Sequence, residues 1–140
     1  LVHDRIANPE GSAEVLEATA TAIEEREVGG AFAISDVGSV SNVDAIPQAA
    51  DELIRLEGIT AAIVCGLRDG TLYLSGRSRD DRVHMGRAIE AALNEVPDAT
   101  GGGHARMGGG QVPLDDDDFV WPARRTTLTD RLRRALEGDV

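Results

Sequence analysis

The run Thr60–Leu67, followed at once by Asp69-Gly70 and a second strand-like run from Thr71, constrains this chain more than any other feature. The stretch centred on Ala61-Ala62-Ile63-Val64-Cys65 is far too short to cross a bilayer. It also lacks the polar alternation of a half-exposed strand, so it reads as a strand buried on both faces. Asp-Gly tolerates positive φ, and the chain is expected to reverse there as a hairpin into Thr71–Ser75. A sheet with such a strand at its centre needs flanking helices to cover it.

The rest of the chain supplies them. Residues 1–11, with Asn8-Pro9-Glu10-Gly11, read as a linker. Ser12 is placed to cap a helix running to about Glu27, ended by Gly29-Gly30. Ala31–Ile34 reads as a short buried strand and Ser35–Gly38 as the turn after it. Ile46, Ala49, Ala50, Leu53 and Ile54 recur at helical spacing from Asp44, with Pro47 in the first turn, where its missing N–H costs nothing. Met85, Ile89, Ala92, Leu93 and Val96 mark another helix, starting at Asp80 or Asp81 and closed by Pro97. Gln111–Leu114 reads as a strand that Pro113 assigns to a sheet edge. Thr127 with Asp130 resembles a capping box for a last helix carrying Leu128, Leu132 and Leu136. The expectation is one α/β domain over residues 12–140, a mixed β-sheet of about four or five strands flanked by helices.

Charge narrows the setting. The chain has 25 acidic against 14 basic residues, a formal charge of −11, and every basic residue is Arg. Such a surface repels itself at ordinary ionic strength but is tolerated at molar salt, where the Debye length is about 3 Å. The pattern resembles the proteome bias of haloarchaea. Under those conditions only short-range contacts count, and Arg binds phosphate through a directional fork that survives screening better than long-range attraction does. Cys65, the one cysteine, lies inside an apolar run and is read as a small buried hydrophobe. No secretory leader pattern is present. A cytoplasmic protein with no membrane association is expected. Leu1 in place of a start methionine is read as a cut inside a longer protein.

Two segments carry chemistry. In Gly101-Gly102-Gly103-His104-Ala105-Arg106-Met107-Gly108-Gly109-Gly110, glycine amides could form a nest for an anion, with His104 and Arg106 adding donors at its lip. A flexible glycine turn with an exposed histidine is the other reading. In Ser75-Gly76-Arg77-Ser78-Arg79, a strand ends where a helix is about to begin, and two Arg flank a Ser. A solvated surface pair is again the alternative.

Taken in order, an Arg-Ser pair closing a strand, a helix, and then Gly-Gly-Gly-His resembles the DHH-associated domain that follows the catalytic domain of DHH-family phosphoesterases. The family includes RecJ-like exonucleases and nanoRNA-degrading oligoribonucleases. The resemblance runs from about Gly30 to Leu114. It implies a substrate-binding domain whose ligand is a nucleotide or a short single-stranded nucleic acid, held by Arg77, Ser78, Gly101, Gly102, Gly103, His104 and Arg106. Three further candidates are His84, which follows the Arg-Ser segment closely enough to face the same cleft, with a partly buried structural histidine as the other reading, Asp36, similarly placed after the first strand, and Arg79. After His104 the family has two alanines and a glycine, where this chain has Met107, Gly108 and Gly109.

The resemblance further implies that residues 1–11 lead from an upstream DHH catalytic domain, which would hold Mn2+. This chain has no Asp-His-His motif, so no catalytic residue, metal ligand or cofactor of its own is expected. Asp115–Asp118 are read as solvated charges. Phe119 and Trp121 are read as packing the C-terminal tail, with base stacking as the alternative. A homodimer is compatible with these features. Two rival functions remain open: a regulatory module that senses a nucleotide without turnover, and a nucleic-acid-binding appendage like the domains ending alanyl-tRNA synthetases.

Overall fold

The computed structural model describes residues 9–114 and 121–138. In chain order the elements are α1 (Pro9–Glu24), β1 (Glu27–Gly29), β2 (Phe32–Ser39), α2 (Ala45–Leu53), β3 (Ala61–Arg68), β4 (Thr71–Ser78), α3 (Met85–Leu93), β5 (Thr100–Gly103), β6 (Met107–Pro113) and α4 (Trp121–Glu137). The six strands form one mixed sheet in the order β1-β2-β3-β4-β6-β5. Only β2 and β3 pair in parallel; the other neighbours are antiparallel.

The single α/β domain is as expected, and β3 is its centre: Ala61, Ala62, Ile63 and Val64 are all completely buried. Asp69 and Gly70 both take positive φ, +48° and +76°, turning β3 into β4 as a tight hairpin. Alternate β3 residues face two separate cores. Ala62 and Val64 join Ile46, Ala49, Ala50 and Leu53 of α2 and Ala22 of α1. Ala61, Ile63 and Cys65 join Met85, Ile89 and Leu93 of α3 and Leu128, Leu132 and Leu136 of α4. Helices therefore cover both faces. Burial, reinforced by the nearby Asp36 carboxylate, pushes the Cys65 thiol well above its ordinary range, leaving it protonated and inert as a nucleophile.

Several boundaries differ from expectation. Helix α1 starts at Pro9, not Ser12, and ends at Glu24, because Glu27–Gly29 pairs with Phe32–Ile34 as an edge strand. Helix α3 starts at Met85 rather than at Asp80 or Asp81. Asp80 instead folds the preceding loop, accepting the Arg82 backbone N–H at 2.9 Å and the Arg82 guanidinium. Helix α4 starts at Trp121, so Thr127 and Asp130 lie in its interior and do not cap it. Pro113 is not on an edge strand, since β6 lies between β4 and β5. The proline is tolerated because β5 reaches only as far as Gln111, leaving Pro113 paired on one side alone, with Thr71. Residues 1–8, Asp115–Asp118 and Phe119 lie outside the described residues.

Helix α1 is tied to the entrance of α2 by Glu14, whose carboxylate accepts the Ser41 hydroxyl and the backbone N–H groups of Ser41 and Asn42. Those bonds, the Ser41 hydroxyl foremost, hold the Glu14 carboxyl below the ordinary carboxylate range. A carboxyl depressed by folding contributes fully above about pH 5 and loses that contribution as pH falls through its folded value. Glu14→Gln should therefore lower stability near neutrality and converge with wild type in acid, as read from denaturation midpoints at a series of pH values.

Candidate functional site

Where β4 ends, it meets the turn of the β5–β6 hairpin. The Ser78 backbone N–H donates to the Arg106 carbonyl at 2.9 Å, and Arg77 pairs across the sheet with Met107. The same turn is gripped by α3, whose Met85 and Gly86 amides donate to the carbonyls of Ala105 (2.8 Å) and His104 (2.9 Å). The backbones of Arg77, His104 and Arg106 thus meet at one end of the sheet beside the α3 N-terminus.

The glycine segment is not the expected nest. Gly101–Gly103 and Gly108–Gly110 are two strands of a hairpin, paired Gly101 to Gly110, Gly102 to Gly109 and Gly103 to Gly108. Glycine is needed because α3 lies almost directly on the hairpin backbone. A Cβ on Gly86 would come within 2.3 Å of the Gly103 carbonyl carbon, one on Gly101 within 2.9 Å of Ile89 and Leu93, and one on Gly110 within 2.7 Å of Leu93. Gly103, at φ +142°, leads into the turn. Gly102 is different: a Cβ there would meet nothing within 4 Å. It faces the opposite, open side.

That side is defined by β4, whose residues alternate between partly exposed and buried. Tyr73, Ser75 and Arg77 share the face of Val64 and Ala62, their neighbours across β3 and its flank. Helices α1 and α2 cover this face over β2 and β3, and α2 also reaches β4; past α2, toward β6 and β5, the face forms an open groove of about 630 Å³. Tyr73, Ser75, Thr100, Gly109 and Gln111 line it, with Pro47 on one wall. A smaller, more apolar cavity of about 190 Å³ lies at the other end of the sheet, between the end of α3 and α4.

The candidate residues separate on this geometry. Arg77 follows Ser75 on the same face of β4, its Nε donating to Asp51 Oδ1 of α2 at 2.6 Å and its NH1 to the Gly76 carbonyl at 2.9 Å. His104 is exposed, and Arg106 is exposed with one long contact of 3.4 Å to Asp81. Ser78 points the other way: it is 3% exposed, and its hydroxyl is shared between the carbonyls of Asp80 and Val83. It shapes the loop into α3. Arg79 is exposed and turned toward the end of the preceding loop, with Nε and NH2 both donating to the Ile59 carbonyl. His84 caps α3, its Nδ1 accepting the Arg87 backbone N–H at 3.1 Å. Asp36 is remote, under α4, where it pairs with Arg125 and accepts the Gly38 N–H.

Tyr73 and Gln111 line the groove without having been singled out in the sequence, and Ser75 and Met107 lie within the two chemistry-bearing segments but were given no role there. Met107 is an exposed large hydrophobe, at 52%, directly beside Arg77. The alternation of β4 is the signal that could have found Tyr73 and Ser75, since side chains two apart on a strand share a face. Among the described residues, no group of three or more His, Cys, Asp and Glu side chains is arranged to hold a metal ion. None of the described helices is long and apolar enough to cross a membrane.

Comparison with known proteins agrees with this architecture. An uncharacterized protein of Methanocaldococcus jannaschii, MJ1633, is 38% identical over 110 residues, which are 78% of this chain and 22% of that protein. The chain thus spans about a fifth of the length of this curated relative. Among solved structures, an exopolyphosphatase-related protein from Bacteroides fragilis superposes with a TM-score of 0.63 at 12% identity, covering 89% of this chain and 34% of that one. The C-Ala domain of Aquifex aeolicus alanyl-tRNA synthetase gives 0.55 at 19% identity, covering 76% and 96%. Such low identities speak for the fold alone. The sequence pattern of the DHHA1 domain matches residues 29–137, from the end of β1 to the end of α4, and the chain belongs to that DHH-associated domain family.

Proposed function

We propose that this chain is the substrate-binding part of a DHH-family phosphoesterase, holding a nucleotide or the end of a short single-stranded nucleic acid by its phosphate. The observation that carries the reading is the junction of β4 with the hairpin turn, which brings Arg77, His104 and Arg106 together in a domain otherwise dominated by acid. A guanidinium offers directional, charge-assisted bonds to phosphate oxygens, and an exposed imidazole adds another donor when protonated. The groove lined by Ser75, Tyr73 and Gln111, which follows Arg77 on the same face of β4, gives the rest of the ligand a place to lie.

In this reading hydrolysis belongs to an upstream catalytic domain carrying manganese. The described residues do not fit such a metal, so the part played here is to bind and orient. The acidic, lysine-free surface supports a protein that works in concentrated salt, where short contacts replace long-range attraction.

The test is equilibrium binding of a 5′-phosphorylated dinucleotide to the full-length protein that contains this chain, in molar KCl. Arg77→Lys, which keeps the charge but loses the fork, and His104→Ala should each weaken binding about tenfold, the scale of one charge-assisted hydrogen bond. His104→Ala should leave the thermal midpoint unchanged, because the imidazole is exposed. Wild-type affinity in both variants overturns the assignment.

A further inference from the structure

Arg77 is held by a partner that the phosphate reading does not use. Its side chain is only 11% exposed, while Asp51, which accepts its Nε–H at 2.6 Å, is 57% exposed. The second anchor is the carbonyl of Gly76, at 2.9 Å from NH1. These two bonds leave both NH2 hydrogens and one on NH1 without a partner among the described residues. We infer that Asp51 is a positioning residue of the anion site, fixing the plane of the Arg77 guanidinium so that its remaining donors are presented to the ligand. The inference rests on reading Arg77 as a phosphate ligand.

An ordinary surface ion pair contributes little, because two long side chains must be held still in water. This pair differs in that its cation is mostly buried and its anion is short. Asp51 projects from α2, whose Ile46, Ala49, Ala50 and Leu53 are completely buried, so the carboxylate stands on a rigid support. An arginine so held has already lost the rotamer freedom that ligand binding would otherwise remove. The carboxylate also offsets the charge of the guanidinium. Arg77 then recognises an anion by direction rather than by field, which is the contribution that survives in concentrated salt.

The experiment is a double-mutant cycle in the full-length protein, with a 5′-phosphorylated dinucleotide as probe. Asp51→Ala should weaken binding about tenfold, and Asp51→Asn, which keeps an acceptor oxygen, should stay within about threefold of wild type. In an Arg77→Ala background, Asp51→Ala should have no further effect. Glu52→Ala, which removes a neighbouring charge paired with Arg55, should leave affinity unchanged.

If Arg77→Ala itself has no effect, the phosphate reading fails and the inference with it. If Arg77→Ala weakens binding but Asp51→Ala does not, the inference alone is overturned. It is also overturned if Asp51→Ala still costs tenfold without Arg77, or if Asp51→Asn loses as much as Asp51→Ala.

Discussion

Replacing Gly86 with alanine is expected to destabilise the protein by about 3 kcal/mol or more, although the change is made inside a helix. Helix propensity alone favours alanine by about 1 kcal/mol. Against that, the new methyl would lie 2.3 Å from the carbonyl carbon and 2.4 Å from the carbonyl oxygen of Gly103, both main-chain atoms of a paired strand. No side-chain rotamer can relieve such a contact; either α3 lifts or the hairpin breaks its pairing. Gly102→Ala is the matched comparison. Its methyl would meet nothing within 4 Å, and its backbone is not left-handed, so stability should change by less than about 0.5 kcal/mol. Urea denaturation of the two variants measures the difference. Equal losses would show that glycine is required along the hairpin for a reason other than contact with α3.

Ile89→Ala should lower stability by roughly 3–5 kcal/mol, the upper part of the range for removing a large aliphatic side chain from a core. Ile89 is completely buried, and its methyl groups fill the space above Gly76, Gly101 and Gly110. The cost of such a deletion depends on how far the surroundings can collapse into the cavity. Here the walls below are strand backbone, laddered on both sides at Gly76 and Gly110 and on one side at Gly101, which moves little. The same denaturation assay reads the loss. A cost below about 1.5 kcal/mol would mean that α3 settles into the vacancy, and that its seat on the hairpin is softer than its contacts indicate.

Legibility in the sequence followed physical locality. Helix α2 was readable nearly to the residue because Ile46, Ala49, Ala50 and Leu53 carry a periodicity that burial then uses. The β3–β4 hairpin was readable because Asp69-Gly70 meets its backbone requirement without outside help. Strand β5 was not, since Gly101–Gly103 lack strand propensity and are held extended only by β6 on one side and α3 above. The strand Glu27–Gly29 was hidden for a similar reason, being short, exposed and defined by its partner alone.

The site was legible in part. Gly-Gly-Gly-His and the Arg-Ser strand end point to two segments whose backbones meet, Ser78 donating to the Arg106 carbonyl. Ser78 and Arg79, next to Arg77 in sequence, differ from it in surroundings: the Ser78 hydroxyl is taken up by backbone carbonyls, and Arg79 turns its Nε and NH2 to the Ile59 carbonyl. His84 is occupied as a cap and Asp36 as the partner of Arg125. Hydrogen bonds formed only on folding decide which polar groups are left for a ligand, and spacing alone does not reveal them.

The sheet is bounded by very short strands, three residues in β1 and four in β5. An open border of that length offers an incoming chain few consecutive amide and carbonyl groups, too few to seed a growing stack of molecules. A sheet with borders this short is protected from fibre formation by geometry, whether or not charge repulsion between its acidic surfaces is screened.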